Sequence, residues 1–282
     1  MPAQRRRNEC IEVHGDAGAR AGLTAPAMSP DRYLRTFDIV GLLARNEDGL
    51  RLTEIKDALK LPVSSLHNIL HTMVAAEVLI VSENLRYSVG PRMVSVALAT
   101  VSSLDVRTIS RKHLQDLAKG IGDDVYLGMS IGQRVFYVDR CAGTQRISLD
   151  IRLGEPLHLH GTATGKLFAA FDPRLASRAL SGPLRKLTPN TITDAHALEL
   201  EYECIKNRGY AKSKEEAVEG VVGYAIPILQ SGGALAAAIH VSVIGHRATK
   251  SHERKLIHAA RDCAGAIERN LGVPKATAEA RA

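Results

Sequence analysis

Between positions 49 and 90 the apolar residues change period, and the change defines a compact order of elements. Leu66, Ile69, Leu70 and Met73 recur at three- and four-residue spacing, which puts them on one face of a helix over 63–73. Thr53 precedes a shorter helical run, 54–60, whose first turn it is expected to cap. Leu61 ends that run, because the residue before Pro62 is pushed out of the α region. Two short strands, 78–81 and 85–89, flank Ser82, Glu83 and Asn84 as a hairpin. Helix, proline, helix and hairpin in this order predict a winged helix-turn-helix. Upstream, Leu34, Phe37, Ile39, Val40, Leu42 and Leu43 form a largely apolar helix over 32–44, expected to pack beneath the pair after the start at Ser29-Pro30-Asp31.

Gly90-Pro91 breaks the wing. The helix expected over 92–104 is apolar nearly all round, so it needs cover on more than one side, and a partner subunit supplies it. A further helix at 106–119 leads into strands at 124–130, 134–139 and 146–153. Helices follow at 165–171, 173–180 and 195–207, the last closed by Gly209. Strands at 221–229 and 234–243 meet at Ser231-Gly232-Gly233, and a final helix covers 251–271. Helices flanking an antiparallel sheet make the fold class α+β. The expected organisation is a disordered leader (1–28), a DNA-binding winged helix (29–90), a linker helix (91–105), a second domain (106–272) and a flexible tail (273–282).

The pattern leaves Ser64, Ser65, His67, Asn68 and His71 on the outer face of the second helix. Hydroxyls and imidazoles reach phosphates or base edges in a DNA major groove, and an Asn amide pairs with both N6 and N7 of adenine. Arg86 on the wing is expected near the DNA backbone or minor groove. From Ser29 to Gly90 there are seven Lys or Arg against eight Asp or Glu, so the module is not basic overall. Attraction to phosphate therefore depends on segregation of charge by face or on doubling the contacts in a dimer. The formal net charge of +7 arises elsewhere in the 282 residues.

Other strings exclude more than they assign. The chain lacks an apolar run long enough to span a bilayer, and residues 1–28, with Arg5, Arg6 and Arg7, lack the continuous apolar core of a secretory signal. Cys10, Cys141, Cys204 and Cys263 are too dispersed for a zinc site or a disulfide framework, which fits a reducing cytoplasm. With no Trp and 4% aromatic residues, base stacking on aromatic platforms is disfavoured. His67 and His71 lack a third metal ligand, and no metal or cofactor is expected. Gly128-Met129-Ser130-Ile131-Gly132 matches the G-x-S-x-G string of serine hydrolases, but a strand follows where the nucleophile elbow needs a helix. Gly161 to Lys166 has one residue too few between its glycines for a nucleotide P-loop; small residues opening a helix there suit a ligand carboxylate at the positive end. His158 and His160 border that site or serve as structural, hydrogen-bonded histidines. The charge run Lys212, Lys214, Glu215, Glu216, Glu219 reads as a solvated turn.

Several strings in sequence order resemble the IclR family of transcriptional regulators, over nearly everything from Pro30 to Leu271. They are Leu61-Pro62-Val63-Ser64-Ser65-Leu66-His67-Asn68-Ile69-Leu70 and Tyr87-Ser88-Val89-Gly90-Pro91-Arg92, then Leu157-His158-Leu159-His160-Gly161-Thr162-Ala163-Thr164-Gly165-Lys166. Leu187-Thr188-Pro189-Asn190-Thr191-Ile192-Thr193-Asp194, Arg208-Gly209-Tyr210-Ala211, and Glu219-Gly220 to Ala225-Ile226-Pro227-Ile228 complete the series. The resemblance implies a winged helix, a linker helix used in dimerisation, and a GAF-like effector-binding domain that takes a small metabolite, often a carboxylic acid.

The expected partners are a double-stranded DNA operator, a small organic acid effector, and further copies of the chain in a homodimer or homotetramer. No membrane is expected. Where the family often has Lys and Arg this chain has Val63 and Asn68, which removes positive charge from the reading helix. The resemblance places the effector among His160, Gly161, Thr162 and Ala163, with Ser213, Gly223, His240 and Ser242 standing where acid-binding members tend to carry Asp, Cys and two Ser. Trading Asp and Cys for Ser and Gly frees volume and removes negative charge, so the expectation is a bulkier or more anionic ligand, such as an aromatic acid, with His240 as a donor. A metabolite-binding enzyme and a protein-interaction adaptor on the same scaffold are the alternatives.

Overall fold

The computed structural model describes residues 30–145, 149 and 151–272, which divide into two compact units between Ser95 and Val96. The expected leader and tail lie outside the described residues. The first unit comprises α1 (Pro30–Leu43), β1 (Leu50–Arg51), α2 (Leu52–Leu59), α3 (Val63–Ala75), β2 (Leu79–Val81) and β3 (Arg86–Val89). Its core is Ile39, Leu43, Ile55, Leu66, Ile69, Leu70, Met73 and Leu79. The four apolar positions that predicted α3 are the four that it buries. Removing each such side chain from water is worth about 1.5–3 kcal/mol, which fixes the face α3 turns inward and so the face it turns outward.

Three details differ from expectation. Thr53 lies inside α2; its N-cap is Arg51, whose amide N–H donates to Glu54 Oε2 at 2.7 Å. A carboxylate at the third helical position satisfies that amide and sits favourably at the positive helix end, so Thr53 is not needed as a cap. The wing has three strands in the order β1-β3-β2, because Leu50 and Arg51 pair with Tyr87 and Arg86. On α1, Ile39 and Leu43 are buried, but Leu34 and Phe37 are exposed together with Tyr33. Gly90 closes the unit: a Cβ there would strike the Glu77 carbonyl, so only glycine lets the chain pass so close to 77–79 before Pro91 starts the next helix. That helix, α4 (Pro91–Ser102), spans the division between units and buries none of its residues.

The second unit contains α5 (Asp105–Ile121), β4 (Asp124–Ile131), β5 (Arg134–Cys141), α6 (Ala163–Phe171), α7 (Pro173–Leu180), α8 (Ala195–Arg208), β6 (Ala211–Lys214), β7 (Val221–Leu229), β8 (Leu235–Ile244) and α9 (Lys250–Asn270). The strands form one antiparallel sheet, β5-β4-β8-β7-β6. Alternate residues feed two cores. Val125, Leu127, Tyr224, Ile226, Ile239 and Val241 pack with α5 and α9, while Ala211, Ala225 and Ala238 pack with α6, α7 and α8. Small residues on the second face bring α6 close to the sheet.

Of the strand expected over 146–153, residues 146–148 and 150 lie outside the described residues and the others form no strand. The charge run after Gly209 is a correction as well. Lys212 and Lys214 belong to β6, and Glu216 is buried. Among the described residues no single helix is long and apolar enough to cross a membrane.

Candidate functional site

The outer face of α3 carries the predicted polar set. Ser64, His67, Asn68 and His71 are exposed and Ser65 is half-buried. Among the described residues the side chains of those four exposed residues have no hydrogen bond or ion pair, so their donors and acceptors are committed to nothing but water. α3 carries no Lys or Arg, so its outer face offers hydrogen bonding rather than charge. Arg86 is tied to its own module. It pairs with Arg51 at the base of the wing, donates from Nη1 to the Gly49 carbonyl at 2.8 Å, and lies 3.5 Å from Glu54. The guanidinium braces β1, and the wing tip is left to Glu83, Asn84 and Leu85.

The second site lies on the α6 face of the five-stranded sheet. Register builds it in two adjacent cross-strand rows: Ser213, Gly223, Ser242 and Asp124, then Ala211, Ala225, His240, Tyr126 and Arg140. Four of the predicted effector residues, Ser213, Gly223, His240 and Ser242, are thereby brought onto one face. Ala163 of α6 lies 3.5 Å from the position a Cβ on Gly223 would take. The same imagined Cβ lies 2.7 Å from His240 Cε1, so the volume that glycine frees is filled by the imidazole rather than left open. A void of about 10 Å³ beside Ser242, lined also by Asp124 and Leu149, is about large enough for one water.

His240 lies between two tyrosines that residue-by-residue reading did not single out. Its ring centroid is 5.9 Å from that of Tyr126 and 5.0 Å from that of Tyr137, and Tyr137 Oη is 3.1 Å from Thr164 Oγ1 on α6. Strand alternation and register would have found Tyr126, which pairs directly with His240; Tyr137 joins the same face only because the β4–β5 register shifts between Leu127 and Gly128, which no period in the sequence shows. Burial pushes the His240 pKa down to about 3, so the ring is neutral and offers hydrogen bonds rather than charge. A neutral ring keeps the donor role expected of His240 and adds no positive charge to the site. His240 Nδ1 and Ser242 Oγ are buried without a partner, an unusual cost in a protein interior.

The α6 entrance is more heavily used than its small residues suggest. Thr162 Oγ1 accepts from the Gly165 amide, and Ser213 Oγ donates to the Gly161 carbonyl at 2.7 Å. Lys166, 1% exposed, places its ammonium 2.8 and 2.7 Å from the two Glu216 oxygens and 3.4 Å from Glu201. Burial raises the Glu216 carboxyl pKa and Lys166 opposes the shift. Thr188 and Thr191 donate to the Glu215 and Glu216 carbonyls at 2.6 and 2.7 Å, which explains the Leu-Thr-Pro-Asn-Thr string as a clasp on the turn after β6. His160 leaves this cluster: its Nε2 donates to the Arg185 carbonyl, and it lines a different cavity together with His158. Ser130 pairs with Val135 where β4 turns into β5, so the hydrolase elbow is absent from that string.

Residues 34–79 match the IclR helix-turn-helix domain, and residues 98–269 match the C-terminal domain of the bacterial transcriptional regulator IclR. The chain belongs to the IclR family. This IclR-family transcriptional regulator is 31% identical over 242 residues to the glycerol operon regulatory protein of Streptomyces griseus, covering 84% of this chain and 95% of that one. Its fold is similar to the crystal structure of the Thermotoga maritima IclR, with a TM-score of 0.71 and 27% identity over 86% of this chain and 99% of that one. A similar fold occurs in an IclR homolog from Microbacterium hydrocarbonoxydans crystallised with 4-hydroxybenzoate: TM-score 0.74, 23% identity, 85% and 97% of the two chains.

Proposed function

We propose that this regulator binds a palindromic DNA operator as a cytoplasmic homodimer or homotetramer, and that a small organic acid, aromatic in the form that fits best, modulates the binding. Ser64, Ser65, His67, Asn68 and His71 read the major groove, and Arg86 holds the wing against β1 for its approach to the backbone. The linker helix, residues 91–105, joins the DNA-binding winged helix to the effector domain and contributes to the subunit contact through its exposed Val94, Val96 and Leu98. The effector seats between Gly161, Thr162 and Ala163 of the α6 entrance and the rows holding Ser213, Gly223, His240 and Ser242.

The observation carrying this reading is the contrast on α3: an apolar face at 0–4% exposure and an opposite face of exposed, unpartnered polar groups. For the effector, support comes from the unpartnered His240 Nδ1 and Ser242 Oγ, and from the 4-hydroxybenzoate held by a homolog of the same fold. No chemical turnover is assigned to the chain. Coupling requires that the acid bind one arrangement of the reading helices more tightly than another.

A footprint of the full-length protein on the DNA upstream of its own coding sequence, with and without 4-hydroxybenzoate, tests both halves. Protection of a palindrome that shifts with the acid is expected. Asn68→Ala is expected to cost about 1–3 kcal/mol of operator affinity and to relax preference at one base pair. Absence of any protected site, or an Asn68→Ala protein that binds as the parent does, would sink the DNA half; protection indifferent to the acid would sink the other.

A further inference from the structure

A cavity of about 260 Å³ opens beside the edge strand β5, apart from the rows that hold His240 and Ser242. Its polar lining is cationic or neutral: Arg134, Arg178, His158 and His160, with Gln133 and Ser181. No Asp or Glu is among the lining residues. Leu157, Leu159, Pro183 and Leu184 supply an apolar wall. The volume falls just below the range of drug-sized sites, about 300–1,000 Å³, and so suits a small molecule.

Two of the polar groups are held in place. Arg178 Nη1 donates to the Gln133 carbonyl, and His160 Nε2 donates to the Arg185 carbonyl at 2.8 Å while its ring sits edge-on to His158 at 5.7 Å. Arg134 is different: it is exposed, and among the described residues its side chain has neither hydrogen bond nor ion pair. Burial lowers the His158 pKa, with His160 and Arg185 adding to the shift. With Arg134 and Arg178 on its wall and no acid among the lining residues, the cavity carries an excess of positive charge. Such a field with a greasy wall is complementary to an anion carrying a short apolar tail.

We propose that this cavity is a second ligand site, selective for a small aliphatic carboxylate whose head group meets Arg134, Arg178 and His158 and whose tail lies against Leu157 and Leu184. It stands apart from the effector site proposed above and does not rest on it. Gly182 gives a handle on it: the residue lines the cavity and a Cβ there meets nothing within 4 Å, so a larger side chain is accommodated at the rim without a clash.

Calorimetric titration of the full-length protein with hexanoate, hexanamide and inorganic phosphate tests the assignment. Hexanoate is expected to bind about tenfold or more tightly than hexanamide or phosphate, because only it has both charge and tail. Arg134→Gln and Gly182→Leu are each expected to weaken hexanoate about tenfold while leaving thermal unfolding unchanged, and His240→Gln is expected to leave hexanoate binding intact. Bound hexanoate also raises the His158 pKa, read from its ring proton in an NMR titration. Equal binding of hexanoate and hexanamide, equal binding of phosphate, or affinity that survives both cavity variants overturns the proposal. Loss of hexanoate binding in His240→Gln alone places the anion on the α6 face and overturns it too. Failure of operator binding to respond to 4-hydroxybenzoate bears only on the first site.

Discussion

The outer face of α3 and the α6 face of the sheet are furnished with the same side chains, serine and histidine, yet the two regions treat them in opposite ways. On α3 the groups are exposed and unpartnered, so keeping them costs nothing until a large polar surface arrives. On the sheet, His240 and Ser242 are 4% and 7% exposed and still have unpartnered atoms, which is costly unless something small enters to meet them. Burial, not residue type, separates the proposed macromolecular reading surface from the proposed interior ligand face.

The largest test of that contrast is Lys166→Met. It leaves Glu216 and Glu201 without their buried ammonium, and urea unfolding is expected to register a loss of about 3–5 kcal/mol. Ser64→Ala and His71→Ala on α3 are expected within about 0.5 kcal/mol of the parent. Comparable losses at the two places would break the comparison.

A smaller effect is expected from Gly223→Ala. The new methyl meets His240 Cε1 at 2.7 Å, and the ring is confined by Tyr126 and Tyr137. Overpacking of this kind costs about 1–3 kcal/mol, and adding His240→Ala should return part of it in a double-mutant cycle. Additive losses would show that the glycine and the imidazole do not share one space.

Acid sharpens the contrast least but most cleanly. The folded-state pKa of His240, about 3, lies below its ordinary 6.5, so the unfolded chain binds a proton that the native one refuses. Stability from this residue is intact above pH 6.5 and falls as pH drops from 6.5 toward 3, by about 1 kcal/mol per pH unit over the upper part of that window. His240→Gln should remove this component of the slope in urea unfolding at a series of pH values. An unchanged slope would mean that the ring protonates in place.

Much of the fold was legible because burial leaves a period in the sequence. Leu66, Ile69, Leu70 and Met73 announced α3, and the bounds expected for β7 are those observed. What stayed hidden depends on partners distant in the chain or on segments too short to show a period. Glu216 looks solvated until the fold brings up Lys166 from fifty residues away. Two residues of β1 cannot alternate visibly, and Arg86 reads as a free wing cation until Gly49 and Glu54 stand beside it. For the site, family-matched positions identified Ser213, Gly223, His240 and Ser242, but not the tyrosines around them. His160 was grouped by its neighbours in sequence, and the hydrogen bond to Arg185 turns it to another cavity.

The imidazole above Gly223 also sets a clock. At the proposed effector site, an acid reaching that spot would find the seat taken by the ring. Its capture would then be paced by displacement of His240 from between Tyr126 and Tyr137 as well as by diffusion, and the lifetime of the bound state would depend on how readily the ring falls back.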